Sequence, residues 1–176
     1  FYDAVIPISD TDRDQILAVP YDEAEYKSEL GVNDVFGEPG YSTRERLWAR
    51  PTLELNGIWG GFQGEGFKTV IANEAHAKIT CRLVADQDPN NIADLIDAHV
   101  ARHAPLGVKM TVRRLFGSSD PYRMPRDHSE NLITAEVLPE LFGTAPYHIR
   151  LGGSIAACPL FLKDLGCYTV KFAFQL

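Results

Sequence analysis

The chain has 176 residues, 45% hydrophobic and 23% charged, an ordinary globular composition that excludes a disordered tail or a fibrous repeat. A net charge of −7 with no Lys/Arg run argues against a nucleic-acid partner, and no apolar run approaches the roughly 20 residues of a membrane span. Cys81, Cys158 and Cys167 are scattered singly, which fits neither a disulfide framework nor a structural zinc knot and points to a reducing, cytoplasmic setting.

The N-terminus FYDAVIPISD lacks an initiator Met and the basic start and apolar block of a signal peptide, which suggests a piece of something longer. The first fifty residues read as helical and loose. Ser9 to Asp12 is a capping-box signature, an N-cap Ser with an acid three residues on. A second helix is predicted from about Asp22 to Leu30, stopped by Gly31. Ser42 and Glu45 form another cap pair, opening a short helix that Pro51 ends. In TLELNGIWGG, Leu53, Leu55 and Trp59 share one face while Glu54 and Asn56 share the other, predicting a half-buried strand closed by Gly60 and Gly61.

After FQGEGF, Lys68 to Val84 alternates as a second, longer strand. Glu74, His76, Lys78, Thr80 and Arg82 lie on one face; Ala75, Ala77, Ile79, Cys81 and Leu83 lie on the other. An amphipathic helix follows, with Asp88 as cap, Pro89 at its first position and Ile92, Leu95, Ile96 and Val100 as its stripe. Val108, Met110 and Val112 alternate as a third strand. Three strands with one helix on a face predict an α+β sandwich of about 65 residues with its other face free.

The character changes near Gly117, and a domain boundary is placed within residues 117–127. Ser129 to Phe142 reads as a helix kinked by Pro139 and stopped by Gly143. LGGSIAACPLFLKDLG places two glycines and a serine N-cap ahead of a helix ending at Gly166, and CYTVKFAF is nearly all apolar, the pattern of a strand buried in an α/β layer.

Catalytic constellations are thin. His99 and His103 have the i, i+4 spacing of a helical metal pair, yet no third ligand is near in sequence, and a polar helix end explains them as well. No phosphate loop of the P-loop type and no G-x-S-x-G elbow occurs. Two features stand out. Arg82 ends a polar strand face that also carries Lys78 and Lys68, and arginine grips a carboxylate bidentately, although an exposed strand arginine is commonly a solubilising charge. RLGGSI, Arg150 to Ile155, lets a ligand approach backbone at a helix start that favours anions, although a Gly-rich turn with a Ser cap reads the same way.

Together, RPTLELNGIWGGFQGEGFKTVI, AKITCRLV followed by DQDP, FGTAPYHIRLGGSI and FYDAVIP resemble the carnosinase-type zinc dipeptidases. These belong to the larger metallopeptidase group that includes carboxypeptidase G, acetylornithine deacetylase and succinyl-diaminopimelate desuccinylase. The similarity runs in order across nearly the whole chain. It implies an α+β fold: a ferredoxin-like lid and dimerisation domain over residues 1–116, with a helical insertion over 1–50 and its first strand and helix missing. Residues 117–176 would then be a segment of an α/β catalytic domain.

The resemblance also implies site residues. Thr69 would reach substrate across a homodimer formed through the lid sheet. Arg82 would hold the substrate carboxylate, and Ser154 with Gly153, supported by Arg150, would bind the substrate near the metals. Two zinc ions are implied for the full-length parent and none for this chain, which supplies neither metal ligands nor catalytic residues. Those ligands, and a lid histidine in an LHSG-like motif, would lie outside it. The implied substrate is a small peptide or N-acyl amino acid, its bond attacked by a zinc-bound water with a Glu outside this chain as base.

The family usually shows proline at Ala72 and Ala156, an acid at Leu151 and a histidine near Phe116 or Gly117; the last departure bears on substrate class. Two rivals remain: a non-catalytic dimerisation or interaction module, and a carboxylate-binding protein that uses the Arg82 face alone.

Overall fold

The computed structural model describes residues 1–152 and 155–171. In chain order it contains α1 (Asp10–Ala18), α2 (Glu23–Leu30), α3 (Thr43–Ala49), β1 (Thr52–Gly60), β2 (Ala75–Arg82), α4 (Pro89–His103), α5 (Ser129–Phe142) and α6 (Ala157–Leu165). The architecture is α+β, with one two-stranded antiparallel sheet among the described residues.

The helices begin and end where local chemistry directs. Ser9 accepts from the Asp12 N–H at 3.1 Å, Asp22 from Ala24 and Glu25 at 2.8 and 3.1 Å, and Asp88 from Asn91 at 2.8 Å. Each oxygen satisfies a first-turn donor that has no partner within the helix. At α3 the capping box is complete: Ser42 Oγ accepts from Glu45 N, and Glu45 Oε2 accepts from Ser42 N at 2.6 Å. Gly31, Gly143 and Gly166 close α2, α5 and α6 in the left-handed conformation.

The best-buried cluster lies between α1 and α3, where Ile16, Val19 and Ala49 are buried. Glu45 is 1% exposed and pairs with Arg13 Nη1 at 2.6 Å, tying the two helices together. Arg50 makes a two-pronged bond to Glu38, 2.8 Å on each arm, and lies over the Tyr41 ring. Glu45→Ala removes the return half of the capping box, the bond from Ser42 N, and the buried partner of Arg13. Because Arg13 keeps some solvent, the expected loss is about 2–3 kcal/mol in a denaturant titration of the full-length protein. Glu45→Gln, whose amide oxygen can still accept from Ser42 N and so keeps the capping box, loses less.

The sheet departs from the sequence pattern at one residue. Pairing runs Thr52↔Arg82, Leu53↔Cys81, Glu54↔Thr80 and Leu55↔Ile79, then slips to Gly57↔Lys78, Ile58↔Ala77 and Trp59↔His76. Asn56 is the extra residue of a β-bulge, and such an insertion inverts the facing of everything after it. Trp59 therefore does not share a face with Leu53 and Leu55, as its spacing predicts. It crosses to the polar side and stacks on His76, with ring centroids 5.0 Å apart and planes within 11°.

Three further expectations change. The second strand starts at Ala75, because a tight turn with Val70 N–H donating to Lys68 O at 2.9 Å interrupts the run before it. Val108, Met110 and Val112 form no strand; in a βαββαβ sheet the closing strand pairs with the opening one, and the described residues hold no such opening strand. The described part of CYTVKFAF, up to Lys171, is likewise outside any strand, since a ladder needs a neighbour.

Helix α4 does not cover the sheet either: the close element pairs are β1 with β2 and α1 with α3. Its Ile92 is buried, and the N-terminal segment lies beside it, where Gln87 Nε2 donates to Phe1 O at 2.9 Å. The apolar sheet face is left bare, with Leu53, Leu55, Ile58 and Ile79 between 41% and 77% exposed. No helix among the described residues is long and apolar enough to cross a membrane.

Candidate site at the end of the hairpin

Arg82 is the last residue of β2, and the alternation of the strand carries it onto the polar face. Its side chain is exposed, and its Nη1 donates to the Gly152 carbonyl at 2.7 Å. Seventy residues of chain separate the two partners. The arginine thus meets Gly152, its hydrogen-bond partner among the described residues, and the rest of its planar fork has the geometry that suits a carboxylate.

Gly152 is wedged on its other side. A Cβ at this position would collide with the carbonyl oxygen of Leu47 in α3, so the segment approaches that helix as closely as only glycine allows. Arg150 pairs with Asp12 of α1, which also receives Arg123 at 3.3 Å. The 150–152 stretch is therefore held from three elements: α1, α3 and β2. Gly153 and Ser154 lie outside the described residues. Helix α6 begins at Ala157 with Ala156 as its N-cap, so the helix start expected at Ser154 falls later in the chain.

Thr69 is exposed in the 61–74 loop, at the opposite end of the hairpin from Arg82. From Ala75 to Arg82 the strand advances roughly 24 Å at about 3.4 Å per residue. A dipeptide spans about 7 Å, so a substrate held at Arg82 lies well away from the Ala75 end of the strand, where the 61–74 loop joins it. Beside Thr69 an open groove of about 520 Å³ is lined by Trp59, Phe62, Lys68, Ile71, Glu74 and His76. The sequence offered no sign of this groove, because only the bulge brings Trp59 to His76.

The polar face is not an unbroken row of cations. Lys68 lies in the loop, not on the strand. Lys78 Nζ is 5.5 Å from the Trp59 ring centre, His76 faces Glu74 at 3.4 Å, and Glu54 accepts from Thr80 at 3.5 Å. Burial, and then the nearby Glu54 charge, push the Cys81 thiol up, so it stays protonated and unreactive. His99 and His103 stack at 4.1 Å, and among the described residues no group of three or more His, Cys, Asp or Glu side chains could hold a metal. The described residues therefore do not fit a zinc site.

Residues 10–108 match the family described as the Peptidase dimerisation domain. Human Beta-Ala-His dipeptidase is 28% identical over 167 residues, covering 91% of this chain and 32% of that protein. The Cys-Gly metallodipeptidase DUG1 of Candida albicans is 26% identical over 172 residues, 94% of this chain and 34% of that protein. Among solved structures, the M20 family metallo-carboxypeptidase Sso-CP2 from Sulfolobus solfataricus superposes with a TM-score of 0.76 at 27% identity, covering 94% of this chain and 37% of that one. Human carnosine dipeptidase 1 gives 0.73 at 25%, covering 95% and 36%. The chain thus spans about a third of the length of these relatives.

Proposed function

The chain belongs to the peptidase dimerisation domain family, and from that premise we propose that it is the lid and substrate-positioning part of a zinc-dependent dipeptidase or related amidohydrolase. Residues 1–116 serve as the lid and dimerisation domain, and residues 117–176 as a segment of the catalytic domain. The metals are held by parts of the protein outside this chain, and no chemical step is assigned to its side chains.

The observation that carries this function is the Arg82–Gly152 contact, which brings an exposed arginine to the residue that precedes Gly153 and Ser154 in the chain. Arg82 grips the carboxylate of a small peptide or N-acyl amino acid, and Gly153 and Ser154 bind its polar groups. Orientation of this kind removes translational and rotational freedom before the bond is attacked. Thr69, in the loop at the far end of the hairpin from Arg82, contributes to the site of a second copy in a homodimer paired through the lid sheet. The names of the dipeptidase relatives support the substrate class.

The test is hydrolysis by the full-length, metal-loaded protein of paired dipeptides with free and amidated C-termini. The free acids are expected to be cleaved with the better kcat/KM, because only they offer the carboxylate that Arg82 binds. Absence of cleavage for any dipeptide would remove this function. It would favour a non-catalytic dimerisation module, for which the bare Leu53, Leu55, Ile58 and Ile79 face is the supporting feature.

A further inference from the structure

We propose that Asp12 is a positioning residue for the 150–152 stretch that Arg82 meets. Through Arg150 it fixes the 150–152 stretch, so that Arg150 acts on the site by holding its backbone and never touches substrate. This rests on the function proposed above and adds to it a residue on a helix remote from the glycine–serine motif in sequence.

Asp12 occupies the third position of α1, where a capping box would turn its carboxylate back to the Ser9 backbone. Ser9 does cap the helix. The Asp12 carboxylate, however, receives two arginines from the second half of the chain, Arg150 on Oδ1 and Arg123 on Oδ2, with its side chain only 13% exposed. Burial by itself would raise this carboxyl. Hydrogen bonds from Arg150 and Ser9, together with the Arg150 and Arg123 charges, outweigh it and hold the group below its ordinary value of 3.8. The latch is therefore fully charged above that value and is lost only as the pH falls through the lower, folded one.

The turn has little room to adjust. Two residues after Arg150, Gly152 abuts the Leu47 carbonyl on one side and accepts from Arg82 on the other. Neutralising Asp12 leaves Arg150 and Arg123 facing each other without a counter-charge, and their repulsion moves Arg150 outward. The Gly152 carbonyl moves with it, and Arg82 loses the support that aims its fork.

The test compares Asp12→Asn, Arg150→Gln and the double variant in the full-length, metal-loaded protein. Each single change is expected to raise KM for dipeptides about tenfold with kcat altered less than about threefold. The double change should do no more than either single one, because both break the same contact. Asp12→Glu, which keeps the charge, should fall between Asp12→Asn and the unmutated protein, and it stands in if Asp12→Asn does not fold. Additive effects, or an unchanged KM in Asp12→Asn, would overturn the latch while leaving the proposed function intact. Should the unmutated protein cleave no dipeptide, the function fails, and the latch is read from amide exchange over residues 147–152. Asp12→Asn must accelerate that exchange, and equal rates would overturn the proposal.

Discussion

Arg82→Ala in the full-length protein is expected to raise KM for free-acid dipeptides by about 10- to 100-fold. The magnitude follows from a charge-assisted hydrogen bond, about 1.5–3 kcal/mol, at about 1.4 kcal/mol per decade. Arg82 is exposed and bonded through one nitrogen to the Gly152 carbonyl, so its loss would remove both the proposed carboxylate grip and one tie on the 150–152 stretch. Substrate specificity separates the two. If the guanidinium binds the carboxylate, C-terminally amidated dipeptides lose much less than the acids. Arg82→Lys should be intermediate, since lysine keeps the charge without the planar fork. Equal losses on acid and amide would show that Arg82 only braces the backbone.

A polypeptide limited to residues 1–176 is expected to hydrolyse no dipeptide with zinc supplied, and to associate rather than run as a compact monomer. The chain exposes 13606 Å² at a mass of 19.6 kDa. A compact monomer of that mass exposes about 8,600 Å², and the difference, roughly 5,000 Å² on one chain, is larger than the roughly 1,000–2,500 Å² that each partner of a typical obligate interface buries. Much of it is apolar: Leu106, Phe116, Phe67 and Ile71 are nearly fully exposed, and the bare sheet face adds Leu55 and Ile58. A dipeptide assay with added zinc checks the first part, and sedimentation together with binding of an apolar dye checks the second. A monodisperse monomer that excludes the dye, or one that cleaves dipeptides, would contradict the lid-fragment function.

The helices were legible in the sequence, and their ends match to within a residue or two at α2, α3, α4 and α5. The signals that mark them are short-range: Ser42 and Glu45 sit three residues apart, Asp88 and Asn91 likewise, and Gly31 and Gly143 each act on their own turn. The strands were legible as patterns and less so as pairings. Alternation located β1 and β2, but it could not register that Asn56 would bulge and send Trp59 to the opposite face. It also could not reveal that Val108 to Val112 would lie without a ladder, because that depends on a neighbour and not on its own residues.

The site divides along the same line. Arg82 could be singled out from its place at the end of a polar strand face, and the 150–152 stretch from its glycines. Their meeting could not, since it joins residues 70 positions apart. Asp12 could be singled out only as a capping acid, because the Arg150 and Arg123 charges that claim its carboxylate arrive from 138 and 111 positions downstream in a chain whose local rules extend about four residues. By itself the sequence determined which segments coil, where they stop and which residue types are present to bind an anion. Tertiary structure alone decided which face Trp59 joins, which carbonyl Arg82 grips and which carboxylate anchors Arg150. Caps and turns are closed by bonds inside one turn of chain, whereas pairing, burial and charge compensation depend on whatever the rest of the fold brings alongside.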